Sequence, residues 1–337
     1  MTTETTIATG VTPAELARAQ VLLARVTETF ASRVVGQERL RRALLVALLA
    51  EGHVLLESVP GLAKTLAAST LAGAVDGRFA RIQCTPDLLP SDIVGTQVYD
   101  PRTHVFETQL GPVHANFVLF DEINRASAKT QSAMLEAMQE RQTSIAGEVH
   151  RLPTPFLVLA TQNPIDEEGT YLLPHAQMDR FLLKEVVEYP RAADEVTVLD
   201  RIADGTLGRS AAPVTAAIDL ADVAALHRTV GRVYVDRSVK QYIVDVVQAT
   251  RDAVGTIGAG LGRYVEVGAS PRATIAFFQV ARAVAVLEGR DHVVPEDVRE
   301  LRHSVLRHRL HLGYEALADD VRPEQVVDAV FAAVPTP

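Results

Sequence analysis

Lys64 and Thr65 follow the segment Leu55-Leu56-Glu57-Ser58-Val59-Pro60-Gly61-Leu62-Ala63, where a short apolar run gives way to a helix-forming stretch. A lysine and a hydroxyl at that point suit phosphate chemistry. Successive backbone N–H groups at a helix N-terminus surround a β-phosphate, the ammonium reaches the β and γ oxygens, and the hydroxyl joins the shell of Mg2+. In the full pattern, G-x-x-x-x-G-K-[ST], both glycines are replaced here, by Ser58 and Ala63, while Gly61, Lys64 and Thr65 remain. An ordinary turn before a helix would look similar, so the reading needs support from elsewhere in the chain.

That support comes from Phe117-Val118-Leu119-Phe120-Asp121-Glu122, an apolar run ending in adjacent acids. In a doubly wound sheet, ligands gather at the carboxyl ends of the strands, so an acid pair there faces whatever the phosphate loop holds. Asp121 would hold Mg2+ through water, and Glu122 would orient and deprotonate an attacking water. A third run, residues 155–160, ends at Thr161-Gln162-Asn163-Pro164 and offers an amide where a neighbouring strand finishes, the place for a polar group touching the γ-phosphate and the water.

These residues need a scaffold, and the chain alternates β-like runs with helical segments. The runs lie at residues 54–56, 80–84, 117–120, 156–160 and 181–187, with helices expected at 13–30, from 37 onward and at 129–139. Such alternation predicts an α/β fold, a doubly wound parallel sheet with helices on both faces. Residues 85–116 are rich in turn formers and longer than a simple connection, while 143–152 alternate about Gly147 as a hairpin would. After Tyr189-Pro190 the β-like runs stop and helical segments take over at 222–230, 238–251, 273–287 and 295–306, which places a boundary near 190. The five glycines within 255–268 read as a flexible loop between those helices.

With 337 residues, two domains is the default expectation. A net charge of −9 argues against a surface built mainly to coat nucleic acid or an anionic membrane. Cys84 is the only cysteine, so no internal disulfide is possible, which fits a reducing cytoplasm. Residues 1–12 read as a polar, flexible tail without the features of a signal peptide, and no apolar stretch is long enough to serve as a membrane anchor. The histidine-rich stretch 302–311 places His303 and His308 five residues apart, which separates them around a helix and disfavours a metal site.

The order of motifs resembles the MoxR family of AAA+ ATPases over nearly the whole chain. The resemblance is carried by Thr85-Pro86-Asp87-Leu88-Leu89-Pro90-Ser91-Asp92, Asp121-Glu122-Ile123-Asn124-Arg125 and Leu135-Glu136-Ala137-Met138-Gln139-Glu140-Arg141, with Ala160-Thr161-Gln162-Asn163-Pro164 and Gly169-Thr170-Tyr171. It implies an AAA+ core over 13–190 and a smaller α-helical lid over 191–337. Residues 85–116 would be the second-helix insert and 143–152 the hairpin before the sensor strand. It also implies a homo-oligomeric ring, commonly a hexamer, with ATP and Mg2+ at subunit interfaces.

Residue by residue, the family pattern makes Glu122, Asn163, Arg180 and Lys64 the catalytic groups and Thr65 and Asp121 the metal contacts. Val35, Gly36, Pro60, Gly61, Leu62, Ala63, Lys64, Thr65, Leu66 and Arg272 would contact the nucleotide. Arg180 would be the finger inserted into the neighbouring subunit's site, a task suited to a group that stays charged and spreads its donors. Arg125 is a second candidate for that task. Ser58 stands where relatives carry Gly; if that position needs a positive φ, the substitution costs about 1–2 kcal/mol and weakens nucleotide affinity while leaving hydrolysis intact. Ala63 is the milder departure, and His175 replaces what is usually Glu.

The resemblance implies a chaperone-like remodeller driven by ATP. It would act in the maturation, assembly or metal-cofactor insertion of a protein complex, often beside a partner containing a von Willebrand factor A domain. The rival is a nucleotide-dependent binding switch with little turnover, favoured by Ser58. A DNA-acting motor shares the same core, and the acidic net charge speaks against it.

Overall fold

The computed structural model describes residues 10–164, 171, 173–208 and 212–337. The expected tail through residue 9 and the Gly169-Thr170 part of one motif lie outside the described residues. Two compact units are present, residues 25–223 and residues 224–337 with the chain up to Ala24, so the division falls within the helix Pro13–Arg33. The composition change near 190 follows the last strand of the five-stranded sheet, while the division between units falls at residues 223 and 224. The following helix, Ala192–Ala203, belongs with the sheet, where Arg201 donates to the carbonyls of Ala31 and Ser32 at 2.9 Å.

The sheet of the first unit has five parallel strands: β1 (Val54–Glu57), β2 (Phe79–Gln83), β3 (Phe117–Asp121), β4 (Leu157–Gln162) and β5 (Leu183–Val186). Their spatial order is β2-β3-β4-β1-β5. After β1 the chain crosses to the far edge, returns through β3 and β4, and closes on the other side of β1. The strand order therefore reverses beside β1, where an open α/β sheet has its ligand crevice. Every residue of β3 is buried. Because successive side chains point to opposite sides of a strand, β3 must be covered on both faces, which explains its unbroken apolar run.

Core residues Leu55, Ile82, Val118, Phe120, Val158 and Ala160 hold the strands to the helix Ala128–Glu140 through Met134, Leu135 and Met138. Each fully buried side chain of this size contributes roughly 1.5–3 kcal/mol. Cys84 belongs to the same cluster, and burial, followed by the nearby Asp121 and Glu122 carboxylates, pushes its thiol pKa up. His53, buried at the start of β1, accepts the Val158 N–H at 3.0 Å on Nδ1 and donates from Nε2 to the Met138 carbonyl at 3.1 Å. Burial, reinforced by Arg141, lowers its pKa to about 4.

Both long connections are ordered. Residues 85–116 form a short helix, Pro90–Val94, and an antiparallel hairpin pairing Gly95–Asp100 with Val105–Leu110. Gln142–Ile145 and Glu148–Arg151 form a second hairpin, whose tip residues Ala146 and Gly147 have φ of 49° and 89°. Positive φ at both tip residues matches the twist of the strands they join.

The second unit is helical and packs Arg237–Arg251, Pro271–Leu287 and Pro323–Ala333 around Tyr242, Phe277 and Phe331. The ring of Phe331 meets Tyr242 and Phe277 at centroid distances of 6.3 and 5.9 Å. The expected flexible loop at 255–268 is instead a helical segment, Ala253–Gly262, broken at Gly258, and a strand, Val265–Val267. Two of its glycines, Gly262 and Gly268, serve close approach of backbone to backbone. A Cβ on Gly262 would sit 2.6 Å from the backbone of Ala253 and Val254, and one on Gly268 would sit 2.5 Å from the Thr250 carbonyl. Among the described residues no helix is long and apolar enough to cross a membrane.

Candidate nucleotide site

The loop from β1 to the helix Lys64–Ala74 lies at the strand-order reversal. Ser58 is buried and donates its N–H to the Gln162 carbonyl at 3.1 Å, which prolongs the pairing of β1 with β4. Its φ is not positive, so the anticipated backbone penalty does not arise there. The strained residue is Ala63, with φ 55° and ψ 21°, while Gly61 has φ 87° and open space where a Cβ would be. Of the two replaced glycines, Ala63 is thus the one that bears the conformational cost, about 1–2 kcal/mol for a left-handed alanine.

Lys64 opens the helix, and its ammonium donates to the carbonyls of Ser58 and Val59 at 3.4 Å each. Partial burial lowers the pKa of this lysine, with Asp121 and Glu122 acting in the opposite direction. Thr65 and Leu66 complete the first turn, whose backbone N–H groups have no intrahelical acceptor and face the helix entrance.

Asp121 ends β3, and Glu122 follows it with a left-handed φ of 58°. The Thr161 hydroxyl, fully buried on β4, donates to Asp121 Oδ1 at 2.6 Å and accepts the Glu122 N–H at 2.8 Å. Arg81 on β2 donates to Asp121 Oδ2 from Nε at 3.2 Å and from Nη2 at 2.7 Å. Nη2 also donates to Gln83 Oε1 at 2.7 Å, and Gln83 Nε2 donates to Glu122 Oε2 at 3.2 Å. Arg125 Nη1 reaches the same Glu122 oxygen at 3.2 Å. The two acids therefore sit within one continuous polar network.

Pro60, Gly61, Leu62, Ala63, Lys64, Thr65 and Leu66 line a cavity of about 440 Å³ together with Arg81, Gln83, Asp121 and Glu122. This set suits a magnesium nucleotide. It has helix-terminal N–H donors and an ammonium for phosphate, a hydroxyl and a buried carboxylate for a hard cation, and a second carboxylate at the rim.

The remaining expected residues lie outside that lining. Asn163 is buried immediately beyond β4. Arg180 is half-buried and donates to the Leu135 carbonyl of its own chain at 3.2 Å. Gly36 has φ 68°, and a Cβ there would sit 2.7 Å from Asp194, so it and Val35 lie beside the helix Ala192–Ala203. Arg272 lies in the helical unit, exposed in the first turn of Pro271–Leu287, with its N–H donated to Ser270 Oγ at 3.1 Å.

Sequence reasoning missed Arg81, Gln83 and Thr161. Arg81 and Gln83 are two residues apart on one strand and so share a face, an alternation readable in the β2 run. Thr161 was within a quoted motif, but nothing in one sequence separates a bridging hydroxyl from a β-branched core residue.

Comparison with known proteins places these features among relatives. Residues 53–183 match the model for the ATPase family associated with various cellular activities, and residues 262–330 match the AAA lid domain. The chain is 48% identical over 304 residues to Chaperone MoxR1 of Mycobacterium tuberculosis, covering 90% of this chain and 79% of that protein. It is 32% identical to Protein MoxR of Paracoccus denitrificans, over 90% of this chain and 93% of the relative. A crystal structure of a candidate ATPase from Cytophaga hutchinsonii superposes with a TM-score of 0.90 at 40% identity, covering 96% of this chain and 97% of its own.

Proposed function

The chain belongs to the MoxR family of AAA+ ATPases, and from that premise we propose that it binds ATP with Mg2+ and hydrolyses it to remodel a partner protein complex. Lys64 and the N–H groups of residues 63–66 would hold the phosphates, and Thr65 and Asp121 the metal. Bound Mg2+ would neutralise charge on the β and γ oxygens as the terminal bond breaks. Glu122 would take the proton of the attacking water, and Asn163 would fix that water and report the γ-phosphate. Arg180, released from Leu135, would enter the neighbouring subunit's site in a homo-oligomeric ring, which we take to be a hexamer. Arg272 would contact the nucleotide from the lid.

One observation carries this reading: the loop with Lys64 and the acids Asp121 and Glu122 at the end of β3 line a single cavity, with Thr161 holding both acids in place. The test is steady-state phosphate release from ATP. Glu122→Gln should lower it by about 10²–10³-fold while nucleotide binding is retained. Wild type that releases no phosphate above background, alone or with a partner, overturns the assignment.

The scaffold reading, a nucleotide switch with little turnover, drew its support from a glycine-requiring backbone at Ser58. That backbone does not require glycine, so turnover is the better supported reading. One relative is a chaperone, and the work done here would be maturation, assembly or metal-cofactor insertion of a client, with a von Willebrand factor A domain protein as adaptor. A buried lone cysteine and ATP as substrate agree with a cytoplasmic setting.

A further inference from the structure

The carboxylate assigned to the metal already has a cationic partner. Asp121 Oδ2 accepts from both Arg81 Nε and Arg81 Nη2, at 3.2 and 2.7 Å, which fills its two lone pairs, and Oδ1 accepts from Thr161 at 2.6 Å. The Asp121 side chain is only 11% exposed, whereas that of Arg81 is 47% exposed and stands on the edge strand β2, lining the cavity. An enclosed anion therefore meets a cation whose other side is open to solvent. A divalent ion and a guanidinium on one carboxylate would repel each other by several times the thermal energy in a partly enclosed site, so they cannot share it. An arginine whose only task was to tie β2 to β3 would have no reason to reach into the cavity lined by the phosphate loop.

We propose that Arg81 is the resident counter-ion of Asp121: it occupies that carboxylate when no divalent cation is bound and withdraws toward solvent when a magnesium nucleotide loads. This rests on the reading of the cavity as a nucleotide site. It makes Arg81 a positioning residue whose departure is a step in metal loading. Because Arg81 Nη2 also orients Gln83, which in turn holds Glu122, its withdrawal loosens the hold on the hydrolytic acid at the same moment.

The test uses the full chain and a fluorescent ADP carrying a methylanthraniloyl group, titrated once in excess Mg2+ and once in EDTA. The ratio of the two dissociation constants reports what Mg2+ adds to binding, and the affinity of free nucleotide for Mg2+ cancels between variants. Arg81→Gln should raise this ratio by about tenfold over wild type, since the competitor for Asp121 is gone and the bare carboxylate weakens metal-free binding. Arg81→Lys, which keeps a cation without the fork, should raise it by about two- to threefold. A variant that is merely loosened weakens both constants together and leaves the ratio unmoved. A ratio in Arg81→Gln equal to or below that of wild type overturns the proposal, and if that variant does not fold, an unchanged ratio in Arg81→Lys does so. Wild type that fails to bind the probe at millimolar concentration with Mg2+ removes the nucleotide-site reading itself. Normal wild-type binding with unmoved ratios removes only the role of Arg81.

Discussion

Thr161 Oγ1 lies 2.8 Å from the N–H of Glu122 and accepts it while donating to Asp121 Oδ1 at 2.6 Å. A single hydroxyl on β4 thus fixes the backbone of one acid and the carboxylate of the other. Glu122 needs such a hold, because its left-handed φ of 58° costs about 1–2 kcal/mol for a residue other than glycine.

Thr161→Val keeps the shape and removes the hydroxyl, leaving a buried carboxylate oxygen and a buried N–H unpaired. ATP turnover should fall by about 10–100-fold and stability by about 1–3 kcal/mol, with Thr161→Ser recovering most of both. Turnover in the valine variant equal to wild type would mean that Glu122 is held by other contacts.

Ala63→Gly sets two effects against each other. A glycine costs about 0.5–1 kcal/mol in chain entropy, but it relieves about 1–2 kcal/mol of left-handed strain, so relief wins. Urea unfolding should show a gain of up to about 1.5 kcal/mol, whereas Ser58→Gly, where φ is not positive, should show a loss. The opposite order would place the strain at Ser58 after all.

His53 is held neutral in the core with its pKa lowered to about 4, against about 6.5 in an unfolded chain. The unfolded state therefore binds the proton more readily. The contribution is fully present above pH 6.5 and is lost as pH falls towards the folded value, by about 3 kcal/mol in all. Urea midpoints between pH 7.5 and 4 should fall more steeply for wild type than for His53→Gln; parallel curves would remove His53 as the cause.

Gly262→Ala would force a methyl carbon to within 2.6 Å of the Ala253 and Val254 backbone. Overpacking against atoms that cannot turn aside should destabilise the helical unit by about 1–3 kcal/mol. Gly260→Ala, where nothing lies within 4 Å of the added carbon, should be neutral or slightly stabilising. Equal effects at the two positions would restore the picture of a flexible loop.

The strands were legible because all-buried parallel strands read as continuous apolar runs, as in Phe117–Asp121. Lys64, Asp121 and Glu122 were legible because their chemistry is tied to residue type at a strand end. The glycines at 255–268 misled because glycine marks both mobility and close approach, and only the backbone opposite Gly262 distinguishes them. The strain at Ala63 and the ease at Ser58 were exchanged in the sequence reading, since φ is set by how far β1 keeps pairing with β4. Arg81 escaped notice because its meaning depends on Asp121, forty residues away in the chain and reached only across the strand pair.

The burial of Cys84, with its thiol held protonated by the core and by the neighbouring acids, gives the wild-type chain a convenience for spectroscopy. The folded protein should be silent to maleimide reagents, so a cysteine introduced at an exposed hairpin residue such as Gln109 would take a dye alone. The movement of that hairpin through a nucleotide cycle could then be followed without first deleting a native residue.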